Sequence, residues 1–114
     1  TAFLLCPESA ANAAWRAALK SDAARETEMT AAISGRPARC LSNAFCHATR
    51  DAPREAIPDY PLAYSLGKAL AAAAAAQGEH GFGAQWAGQG APRAREMAAA
   101  ELVNVLITEY RAAQ

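Results

Sequence analysis

The chain has 114 residues, which is enough for one small domain and too few for two. Its eleven basic and eleven acidic residues cancel and are scattered, so no basic stripe indicates binding to nucleic acid or to an anionic membrane. No apolar stretch reaches the roughly 20 residues of a membrane-spanning helix. Alanine dominates the hydrophobic residues and buries little area, so we expect the helices to pack against something larger.

The first predicted element is a strand at residues 1–5, because this apolar run lacks the alternation of a half-exposed strand. A helix is predicted to follow from residue 8 to about residue 20, which completes a β/α unit of a parallel sheet. Nothing later in the chain resembles a parallel neighbour. We therefore expect the chain to be the C-terminal part of a larger protein, severed inside a strand of a parallel sheet.

A β-hairpin is predicted next. Met29, Ala31 and Ile33 alternate with the residues at 30, 32 and 34, which predicts a weak strand, Gly35-Arg36-Pro37 is a turn signal, and residues 38–41 return as a second strand. Residues 46–58 are polar and contain two prolines, so they are predicted to form a surface loop. His47 in this stretch and His80 further on are predicted to be solvent-exposed and not catalytic.

Two helices are predicted in the second half. Pro61 suits a first turn, the helix covers residues 62–76, and Gly78 suits a left-handed cap. A glycine-containing loop over residues 79–89 leads to a last helix over residues 92–112. On that helix four large apolar residues recur at helical spacing and form one face: Val103, Leu106, Ile107 and Tyr110.

The three cysteines, Cys6, Cys40 and Cys46, form an odd set without a C-x-x-C pair. Zinc usually needs four ligands in close pairs, so we predict no metal site. Cys46 and His47 are adjacent and do not easily point at each other, which disfavours a thiol nucleophile with an imidazole base. Unreactive thiols in a reducing cytoplasm are the simpler interpretation, and we expect a cytoplasmic protein.

Tyr60, Tyr64 and Lys68 are the most informative polar residues. On a helix, steps of four residues turn each side chain about 40° from the last, so the three share one stripe. Two phenols and an ammonium form a donor-rich surface suited to a small anion. From spacing alone, two half-buried tyrosines beside a solvated lysine remain the simpler alternative.

Further candidates lie elsewhere in the chain. Glycines in the loop that contains Gly88 and Gln89 permit close approach to a flat cofactor, although a loop with a core tryptophan is an equal alternative. Thr1 offers a hydroxyl where late barrel strands often hold a phosphate. Two arginines near Gly35 could bind an anion, but a hairpin turn with surface charges is the plainer account.

Four segments, in this order, resemble the C-terminal portion of class I nitronate monooxygenases, formerly 2-nitropropane dioxygenases. They are Thr1-Ala2-Phe3-Leu4, Ser34-Gly35-Arg36-Pro37-Ala38-Arg39 with Asn43 and Phe45, the run from Tyr60 to Lys68, and Trp86-Ala87-Gly88-Gln89. The resemblance implies an α/β fold: the last strand and helix of a (β/α)8 TIM barrel at residues 1–26, a mostly helical substrate-capping segment at 27–90, and a C-terminal helix at 91–114.

The resemblance also implies site roles. Tyr60, Tyr64 and Lys68 line the substrate cavity, Thr1 holds the FMN phosphate, and Gly88 and Gln89 contact FMN. The implied reaction is the oxidation of an alkyl nitronate, such as propionate 3-nitronate, by O2 to a carbonyl compound and nitrite or nitrate. The family's active-site histidine lies upstream. We therefore assign no catalytic residue and expect the isolated chain to need the missing N-terminal barrel portion.

Two alternatives stay open. Enoyl-reductase or quinone-reductase relatives share the barrel and the Ala-Gly-Gln loop, although the tyrosines and lysine argue against them. A non-catalytic helical interaction module is the other, and the predicted strand at residue 1 counts against it.

Overall fold

The computed structural model describes residues 1–114 and contains four α-helices and one two-stranded antiparallel sheet. In chain order the elements are α1 (Ala13–Leu19), β1 (Thr27–Thr30), β2 (Ala38–Leu41), α2 (Ala44–Thr49), α3 (Leu62–Ala75) and α4 (Ala99–Ala112). Short 3-10 helices lie at Ala2–Leu5, Asp22–Arg25, Arg54–Ala56 and Ala91–Arg93. The predicted mixture of helices with a small sheet is confirmed.

The N-terminal segment is a 3-10 helix, so the strand predicted at residues 1–5 is wrong. The Leu4 amide donates to the Thr1 carbonyl at 3.0 Å, and the Cys6 amide donates to the Phe3 carbonyl at 3.2 Å. These bonds satisfy the backbone within the segment. An extended strand here would find no parallel neighbour among these residues and would leave its amide groups unpaired.

Helix α1 begins later than predicted. The Asn12 side chain caps it by accepting a hydrogen bond from the Trp15 amide at 2.9 Å. Upstream, the Ser9 hydroxyl accepts from the Ala11 amide at 3.1 Å, a local bond that competes with helix formation. Residues 8–12 therefore lead into the helix without belonging to it.

The Arg16 side chain ties α1 to the N-terminal segment. Its guanidinium donates to four backbone carbonyls, at distances of 2.6–3.1 Å: those of Leu5, Cys6, Ser9 and Ala11. Bonds from a charged donor are stronger than neutral ones, so this side chain holds the first turn of the chain against α1.

The predicted hairpin is confirmed. Strands β1 and β2 pair antiparallel, from Thr27 opposite Leu41 to Thr30 opposite Ala38. Strand β1 ends before the predicted boundary because the chain turns inward after Thr30, where the Gly35 amide donates to the Ala31 carbonyl at 2.7 Å. The turn buries Ile33 in the core.

Residues 85–87 run beside β2 and extend the sheet by a few bonds. The Leu41 amide donates to the Gln85 carbonyl at 2.9 Å, and the Ala87 amide donates to the Arg39 carbonyl at 3.2 Å. Trp86 forms an isolated bridge with Cys40. The glycine loop that begins at Gly88 is thereby anchored on a sheet edge.

The loop predicted at residues 46–58 is wrong in its first part, where helix α2 forms. The Asn43 side chain caps α2 by accepting from the Cys46 amide at 3.2 Å, and Phe45 and Cys46 are buried. Asparagine is a strong N-cap residue, so the signal was present in the sequence but outweighed by the polar residues that follow. His47 is solvent-exposed, as predicted, and so is His80.

Helix α3 confirms the prediction at residues 62–76 closely, and Gly78 follows it with a positive φ of 83°. Helix α4 begins later than the predicted residue 92, because Ala91–Arg93 is a separate 3-10 helix. The Glu8 carboxylate accepts from the Ala99 amide at 3.1 Å and so stabilises the N-terminus of α4.

The chain buries few residues for its length. Only 18 of 114 residues are buried, and the radius of gyration is 15.7 Å, whereas a compact domain of this size has about 13 Å. Several large apolar side chains are exposed on two surfaces, which we call the α3 apolar face (Leu62, Leu66 and Leu70) and the α4 apolar face (Val103, Leu106, Ile107 and Tyr110). No helix is long and apolar enough to cross a membrane.

Candidate functional site

Tyr64 and Lys68 lie one turn apart on α3, and the Lys68 ammonium nitrogen is 5.7 Å from the centroid of the Tyr64 ring. Tyr64 is half-buried and Lys68 is exposed. None of the five ion pairs in the chain includes Lys68. Its positive charge is therefore available to a ligand.

Tyr60 lies before the first residue of α3, so the prediction that helical spacing puts it on one stripe with Tyr64 and Lys68 is wrong for Tyr60. Its side chain is 49% exposed, and its peptide bond to Pro61 is cis. We call Tyr60, Tyr64 and Lys68 together the tyrosine–lysine strip. The strip lies on open surface, since none of the cavities found in the chain is lined by these residues.

The hairpin turn holds Tyr60 from one side. The guanidinium carbon of Arg36 is 4.7 Å from the centroid of the Tyr60 ring, within the range of a cation–π contact. Gly35 has a φ of +84°, and a Cβ atom there would lie 2.5 Å from the Tyr60 nitrogen. Glycine is required at this position for both its φ and its close approach. Sequence reasoning interpreted this turn as surface charge and missed the contact.

Arg54 fixes the backbone just before Tyr60. Its guanidinium donates to the Ile57 carbonyl at 2.7 Å and to the Asp59 carboxylate at 3.0 Å. A third, longer contact of 3.4 Å reaches the Gly35 carbonyl. Arg54 therefore joins the segment before Tyr60 to the hairpin turn.

Gly67 lets α3 approach the same turn. A Cβ atom at Gly67 would lie 3.0 Å from the Ile33 carbonyl oxygen, which is tighter than most Cβ contacts, so a side chain there would push α3 away from the turn. Gly67 is buried although its neighbours Leu66 and Lys68 are exposed. The lysine thus projects from a helix that is packed tightly against the core on its other side.

Thr1 and Gly88 meet although they are distant in sequence. The Gly88 amide donates to the Thr1 hydroxyl oxygen at 2.9 Å, and both residues are exposed. Because the hydroxyl oxygen accepts this bond, its own hydrogen remains free to donate to an anion. Gln89 follows directly and is also exposed. The three predicted cofactor-binding residues are therefore neighbours.

A cavity of about 330 Å³ adjoins Thr1, and Arg93 and Arg95 contribute to its lining. Arg95 is paired with Glu109 at 2.7 Å. Arg93 takes part in none of the ion pairs or side-chain hydrogen bonds of the chain, so it adds uncompensated positive charge beside Thr1.

A polar network at β1 and α2 was not predicted. The Ser42 hydroxyl donates to the Glu28 carboxylate at 2.7 Å and lies 2.9 Å from the His47 Nε2 atom. The bond from Ser42, with help from the Arg50 charge, holds the pKa of Glu28 below its usual value. Since the serine proton already goes to the carboxylate, His47 must donate to Ser42. A histidine in that role does not activate a serine nucleophile.

All three cysteines are buried and free. The sulfur atoms of Cys40 and Cys46 are 3.2 Å apart, and burial, with the neighbouring Cys46, raises the pKa of the Cys40 thiol to about 12. A thiol so rarely ionised is a poor nucleophile. No group of three or more His, Cys, Asp or Glu residues is arranged to hold a metal ion.

A sequence model described as nitronate monooxygenase matches residues 1–109, which is nearly the whole chain. The chain belongs to the nitronate monooxygenase family. The resemblance inferred from the four sequence segments is thereby confirmed. The family match identifies neither the cofactor nor the substrate residues, so the roles of those residues stay predictions.

Similar proteins agree with this family. The chain is 52% identical over 111 residues to a nitronate monooxygenase from Pseudomonas aeruginosa, covering 97% of this chain and 32% of that protein. It is also 52% identical over 112 residues to one from Paraburkholderia phytofirmans, covering 97% of this chain and 30% of that protein. The chain therefore spans about a third of the length of these family members.

A solved structure supports the same fold. The crystal structure of nitroalkane oxidase from Streptomyces ansochromogenes superposes with a TM-score of 0.82 at 39% sequence identity, covering 98% of this chain and 32% of that one. The arrangement of the hairpin, α3 and the glycine loop therefore resembles one segment of that longer protein.

Proposed function

We propose that this chain forms the substrate-binding wall and one edge of the flavin site of an FMN-dependent nitronate monooxygenase. The reaction is the oxidation of alkyl nitronates, such as propionate 3-nitronate, by O2 to a carbonyl compound and nitrite or nitrate. The single observation that carries this proposal is the unpaired Lys68 ammonium beside the Tyr64 ring, on a chain that belongs to the nitronate monooxygenase family.

The tyrosine–lysine strip suits the charge of a nitronate. A nitronate carries its negative charge on two oxygen atoms, which accept hydrogen bonds from an ammonium or a phenol. Lys68 supplies a full positive charge without a competing carboxylate. Tyr64 supplies a neutral donor beside it, and Tyr60 is proposed to supply a second one. In this proposal the strip binds and orients the anion, and no residue of this chain performs the redox step.

The surroundings of Thr1 fit the phosphate end of FMN. Thr1 has a free hydroxyl proton, the Gly88 amide holds that hydroxyl, and the uncompensated Arg93 adds positive charge. Gly88 and Gln89 would lie along the cofactor, where a glycine permits close approach and a glutamine amide both donates and accepts. When bound, FMN supplies the electron-accepting chemistry that side chains lack.

The exposed apolar surfaces support a need for a covering partner. The α3 and α4 apolar faces leave seven large side chains in solvent, and the tyrosine–lysine strip has no opposite wall. We propose that an N-terminal barrel portion covers these surfaces and supplies the family histidine. Residues 1–26 then join the barrel, residues 27–90 cap the substrate, and residues 91–114 form the closing helix.

We also propose a cytoplasmic location, which the three free thiols suit.

The test compares the 114-residue chain alone with a chimera. In the chimera the chain replaces the matching C-terminal segment of the Pseudomonas aeruginosa relative, to which it is 52% identical. We expect the chain alone to be colourless and inactive, and the chimera to bind FMN and consume O2 with propionate 3-nitronate. Flavin absorbance and an oxygen electrode measure the two properties.

Other results contradict the proposal in recognisable ways. A yellow, nitronate-oxidising preparation of the chain alone removes the need for a barrel portion. A flavin-containing chimera that oxidises NADH but no nitronate favours a reductase. A chain that unfolds cooperatively as a stable monomer and gives a chimera without flavin favours a helical interaction module.

A further inference from the structure

Arg36 connects the hairpin turn to the tyrosine–lysine strip through one contact. Its guanidinium carbon lies 4.7 Å from the centroid of the Tyr60 ring. None of the five ion pairs of the chain includes Arg36, although Asp59 lies next to Tyr60 in sequence and pairs with Arg54 instead. The Arg36 side chain is therefore not placed there to neutralise a carboxylate.

Tyr60 needs such a contact more than Tyr64 does. Tyr64 belongs to α3 and is half-buried, so its helix and its neighbours restrict the ring. Tyr60 precedes the helix, is 49% exposed, and has no side-chain hydrogen bond. Gly35 and Arg54 restrain its backbone, but they leave the ring free to rotate about its side-chain bonds.

A guanidinium is suited to restrain an aromatic ring. It is planar, it stacks on an aromatic face, and it is more weakly hydrated than an ammonium. The turn that carries Arg36 is itself held in place, because Gly35 leaves no space between it and the Tyr60 backbone. The ring is thus stacked against a cation on a fixed support.

We propose that Arg36 is a positioning residue, which stacks on the Tyr60 ring and holds the phenol in the orientation that donates to the substrate anion. Arg36 acts through Tyr60 and does not itself touch the substrate. The inference rests on the proposed nitronate-binding function of the strip. It differs from the role of Lys68, whose ammonium acts on the anion directly.

A double-mutant cycle in the chimera tests this inference, with the variants Arg36→Met, Tyr60→Leu and the two combined. We expect Arg36→Met to lower kcat/KM for the nitronate by about two- to fivefold, mainly through KM, as loss of an exposed cation–π contact predicts. In the Tyr60→Leu background the same replacement should cause no further loss, because its target is gone. Arg36→Lys should recover part of the loss.

Two controls separate this effect from a general loss of structure. Arg25→Met removes another exposed arginine, which pairs only with Asp22, and should leave KM unchanged. The FMN content and the melting temperature of each variant should equal those of the parent chimera. An Arg36→Met effect of the same size in both backgrounds overturns the inference, because Arg36 would then act on the anion itself. Equal KM values in the parent and in Arg36→Met overturn it as well.

An NMR measurement tests the contact between Arg36 and Tyr60 without relying on enzyme turnover. With 15N-labelled arginine in the chimera, the ring current of Tyr60 should shift the Arg36 Nε–H resonance, and Tyr60→Leu should remove that shift. Absence of the shift overturns the inference even in an inactive chimera. An inactive parent chimera that shows the shift contradicts the nitronate function, and Arg36 then has no substrate for which to position Tyr60.

Discussion

The hydroxyl oxygen of Thr1 accepts a hydrogen bond from the amide of Gly88 at 2.9 Å, which joins the first residue of the chain to a loop near its end. The position of Gly88 is fixed by the preceding residues 85–87, which form backbone hydrogen bonds with β2. Thr1 is held by the turn that Arg16 ties to α1. Two independently anchored segments therefore meet at the proposed phosphate edge of the flavin site.

This contact leads to a prediction for flavin affinity. In the chimera, Thr1→Val removes both the acceptor for Gly88 and the free hydroxyl donor while keeping the shape of the side chain. We expect the Kd for FMN to rise by about fivefold or more, since a lost hydrogen bond costs roughly 1 kcal/mol. Thr1→Ser should retain the parent Kd. Thr108→Val, on the exposed face of α4, is the control; equal Kd values for both valine variants contradict the assignment.

A second prediction concerns Lys68. Its replacement by methionine keeps much of the length of the side chain but removes the charge, so a charge-assisted hydrogen bond to the anion is lost. Such bonds contribute roughly 1.5–3 kcal/mol, and we expect KM for the nitronate to rise by about tenfold or more. Lys20→Met, which disrupts only the surface pair with Glu96, should leave KM unchanged. Steady-state kinetics measured by O2 consumption distinguish these outcomes.

A third prediction compares two glycines with nearly equal φ angles, +84° at Gly35 and +83° at Gly78. Alanine at Gly78 meets open space, so it should cost only the strain of a positive φ, about 1–2 kcal/mol. Alanine at Gly35 would also clash with the Tyr60 and Pro58 backbone, so we expect about 2 kcal/mol more. Urea unfolding of the chimera variants measures both costs. Equal costs mean that the close approach at Gly35 is not needed.

A fourth prediction concerns alkaline stability. The pKa of Cys40 is raised from 9.0 to about 12 by burial and by Cys46, so the native thiol stays protonated where the unfolded thiol ionises. Its contribution to stability is complete below pH 9 and is lost as the pH rises toward 12. Each pH unit in this window costs at most about 1.4 kcal/mol.

The measurement for Cys40 is the free energy of unfolding between pH 8 and pH 11. We expect it to fall less steeply in Cys40→Ala than in the parent protein. Ile33→Val removes a buried methylene from the same cluster but no titrating group, and should retain the parent slope. Parallel slopes for all three proteins contradict the role assigned to Cys40.

Local patterns predicted the local elements. The alternation before Gly35 and the glycine after α3 identified the hairpin and the helix, because both signals lie within a few residues of what they specify. The strand at residues 1–5 failed because a strand depends on a partner elsewhere, and the segment instead bonds to itself as a 3-10 helix. Helix α2 was not predicted, because the polar residues and prolines after Asn43 are typical of a loop and the helix has only a single capping residue to signal its start.

In the candidate site, too, local contacts were predictable from the sequence and long-range contacts were not. The neighbouring positions of Tyr64 and Lys68 follow from helical spacing and were predictable. The contact of Arg36 with Tyr60 and that of Thr1 with Gly88 join segments that are distant in the chain, and no local pattern reports such pairs. The resemblance to a family named the residues at both places, whereas only the structure brings them together.

The hydrogen bonds of Arg16 limit which substitutions the chain tolerates at this position. Its guanidinium serves four carbonyls spread over several residues, and the fork of five N–H groups is what spans them. A lysine carries its three donors on one nitrogen atom, so it could not form most of these hydrogen bonds and would leave the carbonyls unpaired. If the chimera is scanned by mutation and its bound flavin is measured, even Arg16→Lys should therefore lower the flavin content. Arg16 would have this effect although it touches neither Gly88 nor the tyrosine–lysine strip.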